Sequence, residues 1–153
     1  MLLALLEGLQ DRLAVVVEAE FAARPDLATR LHALWSNVVD HPDGDDWFLL
    51  EVELWLHAAR HPDRAPTLRT RYEAIHALMR DEFARWVEEF ELAPIVPIDA
   101  LPQAVMAAVM GLAMQDRIVP DATSDEHAVT MLAALFGTVG AHRAPEPDPS
   151  RTT

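Results

Sequence analysis

The sequence predicts an all-helical protein, and three observations lead to this prediction. Six segments repeat apolar residues at the three- and four-residue spacing of an amphipathic α-helix. No segment keeps the alternation of apolar and polar residues that is typical of a strand. Only five glycines are spread over 153 residues, which gives little support to a fold built on tight turns. We therefore expect six helices in a single domain over residues 1–140.

The first predicted helix covers about residues 2–23, and Pro25 follows its end. No capping residue precedes its apolar stripe, so we expect the chain to be part of a longer protein. The second predicted helix begins near Asp26, with Trp35 beside its apolar face, and stops in the breaker run at residues 40–44. The two stripes are formed by Leu2, Leu6, Leu9, Leu13 and Val16, and by Leu27, Leu31, Leu34 and Val38.

The third predicted helix begins near Asp45 or Asp46 and ends at His61 and Pro62. It carries two adjoining apolar stripes, which indicates contacts on more than half of its surface. The fourth is the longest, from about Pro66 to Glu91. Its spine consists of Leu68, Tyr72, Ile75, Met79, Phe83, Trp86 and Phe90.

An extended connector at residues 93–97 precedes the last two predicted helices. Asp99 is a candidate cap for the fifth helix, which tolerates Pro102 in its first turn. The fifth helix is apolar nearly all round. The sixth opens with a sequence, Thr123 to Glu126, that fits a capping box. The polar, proline-rich residues 141–153 are expected to be a disordered tail.

Composition limits the possible functions. The chain has 12 Lys and Arg against 25 Asp and Glu, a net charge of −13, so its field repels phosphate backbones. It has no cysteine, which excludes thiolate sites and fits a reducing compartment, and we expect the cytoplasm. Its longest apolar run, residues 104–114, is too short to span a bilayer. We expect neither a membrane protein nor a chain that binds DNA by itself.

Two stretches of the sequence resemble the C-terminal domain of the tetracycline-repressor (TetR) family of transcription regulators. The first contains Trp47, Phe48, Leu49, Glu51, Leu54, Ala58, Arg60 and Pro62, followed by Leu68, Tyr72 and Arg80. The second contains Pro97, Ile98 and Asp99, followed by Gly111, Leu112, Gln115, Ile118 and Pro120. The resemblance covers about residues 1–140. It implies a domain that senses a small hydrophobic effector and forms a homodimer, and that reaches DNA only through an N-terminal helix-turn-helix head, which is missing here.

The resemblance places an effector pocket among the second, third, fourth and fifth predicted helices. Aromatic and methionine side chains make an adaptable apolar lining that suits varied ligands. Each of these residues is also explained by ordinary core packing. The predicted ligand-binding residues are Trp35, Phe48, Glu51, Trp55, Tyr72, Ile75, Met79, Met106 and Met110.

Glu51 is the exception among these residues, because it is a carboxylate between Phe48 and Trp55 on an apolar stripe. A lone buried carboxylate is costly unless it is paired or hydrogen-bonded. Glu51 either holds a polar group of the ligand or forms a structural pair, with an arginine such as Arg80 or with a group of the second helix.

The resemblance also implies that the last two helices form a four-helix bundle with a second subunit. Their apolar residues occur on more than one face, which favours a partner, although internal packing would also account for them. The predicted dimer residues are Leu101, Val105, Ala108, Leu112, Leu132, Leu135, Phe136 and Val139.

Chemistry other than binding has little support in the sequence. Glu53, His57 and His61 recur every four residues and could present two histidines and one carboxylate to a metal ion. Such spacings often arise by chance. Glu73 and His76 match half of a di-iron signature whose second half is missing. No phosphate-binding loop or nucleophile elbow occurs. We expect no metal, no cofactor and no enzymatic activity, and the rival interpretation is a helical protein-interaction module without a ligand cavity.

Overall fold

A computed structural model of the chain describes residues 21, 23–39, 46–64 and 66–137. These residues form five α-helices and no strand, which confirms the predicted all-helical class for this part of the chain. The predicted first helix, the breaker run, Val139 and the predicted tail lie outside the described residues. The helices are α1 (Leu27–Val39), α2 (Asp46–Arg60), α3 (Pro66–Glu89), α4 (Leu101–Ile118) and α5 (Asp125–Phe136), with a short 3-10 helix at Pro62–Arg64.

The starts of three helices test the capping predictions. Asp26 caps α1, because its Oδ1 accepts a hydrogen bond from the backbone N–H of Thr29 at 2.8 Å. The cap of α5 is Ser124, whose hydroxyl accepts from the N–H of His127 at 3.2 Å, so the predicted capping box is wrong by one residue. The predicted Asp99 cap is also wrong.

At α4 the cap position is Ala100, which makes no side-chain cap bond. The connector satisfies this helix start instead, since the carbonyl of Pro97 accepts from the N–H groups of Ala100 at 2.9 Å and Leu101 at 3.1 Å. Pro102 lies in the first turn and has no N–H to satisfy.

The core forms where α1, α4 and α5 pack together and α3 packs on α4. Trp86 of α3 is fully buried at its centre. Its ring centroid lies 4.9 Å from that of Phe21, 5.1 Å from Phe83 and 5.8 Å from Phe136. Burial of each such aromatic side chain contributes roughly 1.5–3 kcal/mol. The C-terminal half of the predicted spine of α3 therefore forms the centre of the hydrophobic core.

A buried arginine joins α1 to the end of α3. Arg30 is 7% exposed and makes a bidentate pair with Glu89, at 2.7 and 2.9 Å. Its guanidinium lies 5.6 Å from the ring centre of Trp86 and 4.8 Å from that of Phe90. The two rings contact the buried guanidinium, and the pair with the half-exposed Glu89 ties this end of α3 to α1.

The connector between α3 and α4 is held against the end of α5. The N–H of Ile95 donates to the carbonyl of Leu135 at 3.1 Å. Gly137 has φ +78°, and a Cβ at this position would overlap the carbonyl of Ala93. Glycine is therefore required here by both conformation and space.

Candidate functional site

The helices α2 and α3 form a helical hairpin around the 3-10 helix at Pro62–Arg64, and an apolar cavity that is open to solvent lies between them. The two helices meet through long side chains, since Glu51 contacts Arg71 and Trp55 contacts Tyr72. The cavity has a volume of about 430 Å³. It is lined by Glu51, Leu54, Trp55, Ala58, Ala59, Pro62, Leu68, Arg69, Arg71, Tyr72, Ile75 and Met106.

One ion pair forms the polar part of the cavity wall. Nη1 of Arg71 donates to both carboxylate oxygens of Glu51, each at 3.1 Å. Nε1 of Trp55 donates to Oε1 of the same carboxylate at 3.0 Å. Both charged side chains are only 11% exposed. These bonds offset the cost of burying the carboxylate between apolar neighbours.

The structure thus gives Glu51 a structural partner of the kind considered above, but the arginine is Arg71 and not Arg80. Arg71 faces Glu51 across the hairpin, whereas Arg80 lies more than two turns further along α3. There Arg80 is exposed and pairs with its neighbour Asp81 at 2.8 Å.

Aromatic rings continue from the cavity along α3. The rings of Trp55 and Tyr72 meet edge to face, with centroids 6.0 Å apart. Tyr72 is 39% exposed, and its ring lies 4.1 Å from that of His76. Nε2 of His76 is buried without a hydrogen-bond partner. Desolvation lowers the pKa of His76, which favours the neutral imidazole.

Five of the nine predicted ligand-binding residues line the cavity, namely Glu51, Trp55, Tyr72, Ile75 and Met106. Trp35, Phe48 and Met79 are instead buried in the core, each at most 5% exposed. The indole N–H of Trp35 donates to Asp125 at 2.9 Å, which ties α1 to α5. Met110 is half-buried and packs against the core one turn beyond Met106.

The prediction missed seven lining residues. Leu54, Ala58, Pro62 and Leu68 were already among the residues that carry the family resemblance, and this signal would have identified them. The other three, Ala59, Arg69 and Arg71, line the cavity because of the way α2 and α3 are aligned with each other. Helical periodicity in one segment does not show which residues of a second helix face it.

The predicted dimer residues are mostly covered within one chain. Leu101, Val105, Leu112, Leu132 and Phe136 are at most 7% exposed. The reason is that α1 packs against both α4 and α5 and completes the core there. These five side chains do not lie on a surface that a second subunit could contact directly.

Other residues of α4 and α5 remain on the surface of the described chain. Ala108 and Leu135, both predicted dimer residues, are half-buried. Ala107 and Ala134 are exposed, and Met131 is 43% exposed. A second subunit that packed on this pair of helices would therefore meet both alanines and larger side chains such as Met131.

His57 of α2 and His61, which follows the end of that helix, have no third candidate metal ligand beside them in the described part of the chain. The rings of His57 and His61 lie 4.9 Å apart, and both residues are exposed. Nowhere among residues 21–39, 46–64 and 66–137 that are described do three His, Asp or Glu side chains converge as metal ligands.

None of the described helices has the length and apolarity that a membrane crossing requires. No known protein family, characterised protein or solved structure matches the chain. The cavity between α2 and α3 is therefore the feature from which a function is inferred.

Proposed function

We propose that the chain is the effector-sensing and dimerising domain of a cytoplasmic TetR-type transcription regulator, and that it binds a small hydrophobic ligand between α2 and α3. DNA recognition would belong to a separate head. The observation that carries the proposal is the apolar cavity of about 430 Å³ with a single ion pair in its wall.

The size and chemistry of the cavity support ligand binding. Small-molecule pockets have volumes of roughly 300–1,000 Å³ and combine an apolar lining with a few fixed polar groups. Here Leu54, Ile75 and Met106 supply apolar surface, and Trp55 and Tyr72 supply aromatic rings. The polar groups are immobilised, because Glu51 accepts three hydrogen bonds from Arg71 and Trp55.

The position of the cavity supports a sensing role. Its wall includes the first turns of α3, while the last turns of α3 carry Trp86 and the anchored Glu89. Met106 extends the wall to α4. A ligand that fits one placement of α2 and α3 better than another would shift the population of that placement. The change would reach α4 and, through it, a second subunit.

A titration with small apolar compounds tests the proposal, with tryptophan fluorescence and melting temperature as readouts. Ala58 lies in the cavity wall, so Ala58→Phe fills the cavity and should abolish a saturable response. Ala77→Phe, at an exposed position of α3, is the matched control and should respond like the natural chain. Equal responses of the two variants, or no saturable response of the natural chain, would contradict the proposal.

A protein-interaction module is the second candidate, favoured by two exposed leucines of α2. Leu49 is 44% exposed and Leu56 is 48% exposed, two turns further along the helix. Scattered exposed leucines are common, however, and these two lie outside the cavity. Loss of partner binding in Leu49→Glu, with an unchanged response to apolar compounds, would favour this candidate.

A further inference from the structure

The guanidinium of Arg71 is only partly used by the protein. Both of its hydrogen bonds to Glu51 leave from Nη1. Nε is buried and has no hydrogen-bond partner anywhere in the described chain. A buried donor without an acceptor is costly, and charged donors are the most costly of all. Nε and Nη2 of Arg71 therefore take no part in the pair with Glu51.

The charge of the cavity wall differs from that of the molecule. The wall contains two arginines, Arg69 and Arg71, against one carboxylate, Glu51. The chain as a whole has a net charge of −13. An excess of positive charge at an apolar cavity in so acidic a protein is not explained by its overall composition, and it favours a negatively charged ligand group.

The protein also limits how the remaining donors are oriented. Arg71 is held at Nη1 by a carboxylate that Trp55 holds in turn. Nε is closed off from solvent, whereas Nη2 makes no bond to Glu51 and is left to donate a charge-assisted hydrogen bond to an oxyanion. The apolar remainder of such a ligand would contact Leu54, Ile75 and Met106.

We propose that the ligand of this cavity is an amphipathic organic anion, with an apolar body and a carboxylate or similar oxyanion that binds Nη2 of Arg71. This inference rests on the proposed function, because it assigns a chemical class to the ligand of the same cavity. Glu51 then positions Arg71, and Arg71 selects the anion.

The test compares two fluorescent dyes with the same apolar body. Anilinonaphthalene sulfonate carries an oxyanion, and phenylnaphthylamine is its uncharged analogue. The natural chain should bind the sulfonate roughly tenfold more tightly, a difference that one charge-assisted hydrogen bond supplies. Arg71→Met should remove this preference, so that its affinities for the two dyes differ by less than about twofold.

Three further variants keep the test decisive. Because Arg71→Met leaves Glu51 unpaired, Glu51→Gln with Arg71→Met removes both charges and should show the same loss of preference in a folded chain. Arg80→Met removes an exposed arginine of the same helix and should keep the preference. Ala58→Phe should lose both dyes, which places them in the cavity.

The outcomes separate this inference from the proposed function. If both dyes bind equally in the cavity, the proposed function stands and the anion inference is wrong. If neither dye binds, or Ala58→Phe binds both unchanged, the cavity does not accept ligands of this class and both proposals fail. A preference that survives in both Arg71 variants would assign anion binding to another group and overturn the inference.

Discussion

The pair of Glu51 and Arg71 is the residue-scale feature on which the hairpin of α2 and α3 depends. Glu51→Gln removes the charge that compensates Arg71 while keeping the size of the side chain. We expect the free energy of unfolding to fall by about 1–3 kcal/mol, because a buried arginine loses a charged acceptor. Urea unfolding measures this change.

Glu53→Gln is the matched control for Glu51→Gln, since Glu53 is exposed on the same helix. Its free energy of unfolding should change by less than about 0.5 kcal/mol. Equal effects of the two substitutions would show that the ion pair does not stabilise the hairpin.

His76 gives the stability a defined dependence on pH. Desolvation lowers the pKa of His76 in the folded chain below its ordinary value of 6.5, so the unfolded chain binds this proton more readily. Stability from this residue is present above pH 6.5 and is lost as the pH falls below it. His76→Gln should reduce the fall in melting temperature between pH 7 and pH 5.5. An unchanged fall would mean that His76 does not contribute.

At the residue scale, the sequence predicts burial better than it predicts partners. The position of Glu51 on an apolar stripe correctly indicated a buried carboxylate that needs a partner. Its actual partner, Arg71, is 20 residues away and is selected by the hairpin register. Likewise, Trp35 has the size and apolarity of a cavity residue, but its N–H is held by Asp125 from a distant helix.

At the scale of helices and connections, Gly137 determines how closely the connector approaches α5. Gly137→Ala would force an L side chain into φ +78° and against the carbonyl of Ala93. We expect it to lower the free energy of unfolding by about 1–3 kcal/mol.

Gly111→Ala is the matched control for Gly137→Ala. A Cβ at Gly111 meets no atom within 4 Å, and Gly111 lies inside α4. This substitution should leave stability unchanged or raise it by up to about 1 kcal/mol, because alanine favours a helix. Denaturant unfolding of both variants checks the pair, and a stable Gly137→Ala chain would contradict the described contact.

The helices themselves were predictable, because each of the described ones has clear local signals. Asp26, Ser124 and the prolines at positions 62 and 66 lie at helix boundaries in both sequence and structure. The start of α4 was not predictable in the same way. Its first donors are satisfied by the carbonyl of Pro97, a contact that depends on the path of the connector and not on a capping side chain.

At the scale of the whole molecule, the aromatic core and the cavity occupy different parts of the fold. The core around Trp86 joins α1, α3, α4 and α5, whereas the cavity lies between α2 and the first turns of α3. Ile75 belongs to both regions, because it is buried in the core cluster and also lines the cavity. This division could not be read from the sequence, because the stripes of α2 and α3 are continuous through both regions.

The proposed homodimer is the second property at this scale. Because Val105 and Leu112 are buried in one chain, charged substitutions there would unfold it and would not test association. Ala107 is exposed on α4, where its small side chain would allow a second helix to approach closely.

Light scattering at several concentrations should give twice the chain mass of 17.0 kDa. Ala107→Glu should yield a folded monomer, whereas Ala77→Glu on α3 should remain dimeric. A monomer at every concentration, with native helix content, would contradict the proposed dimer.

The measurement that tests the central claim most directly is methionine methyl NMR during a titration with an apolar ligand. Met106 lines the cavity, and Met131 lies on the surface of α5 away from it. The signal of Met106, assigned with Met106→Leu, should shift and saturate while that of Met131 stays in place. A signal of Met106 that does not move while a ligand binds, or a shift confined to Met131, would contradict a binding site between α2 and α3.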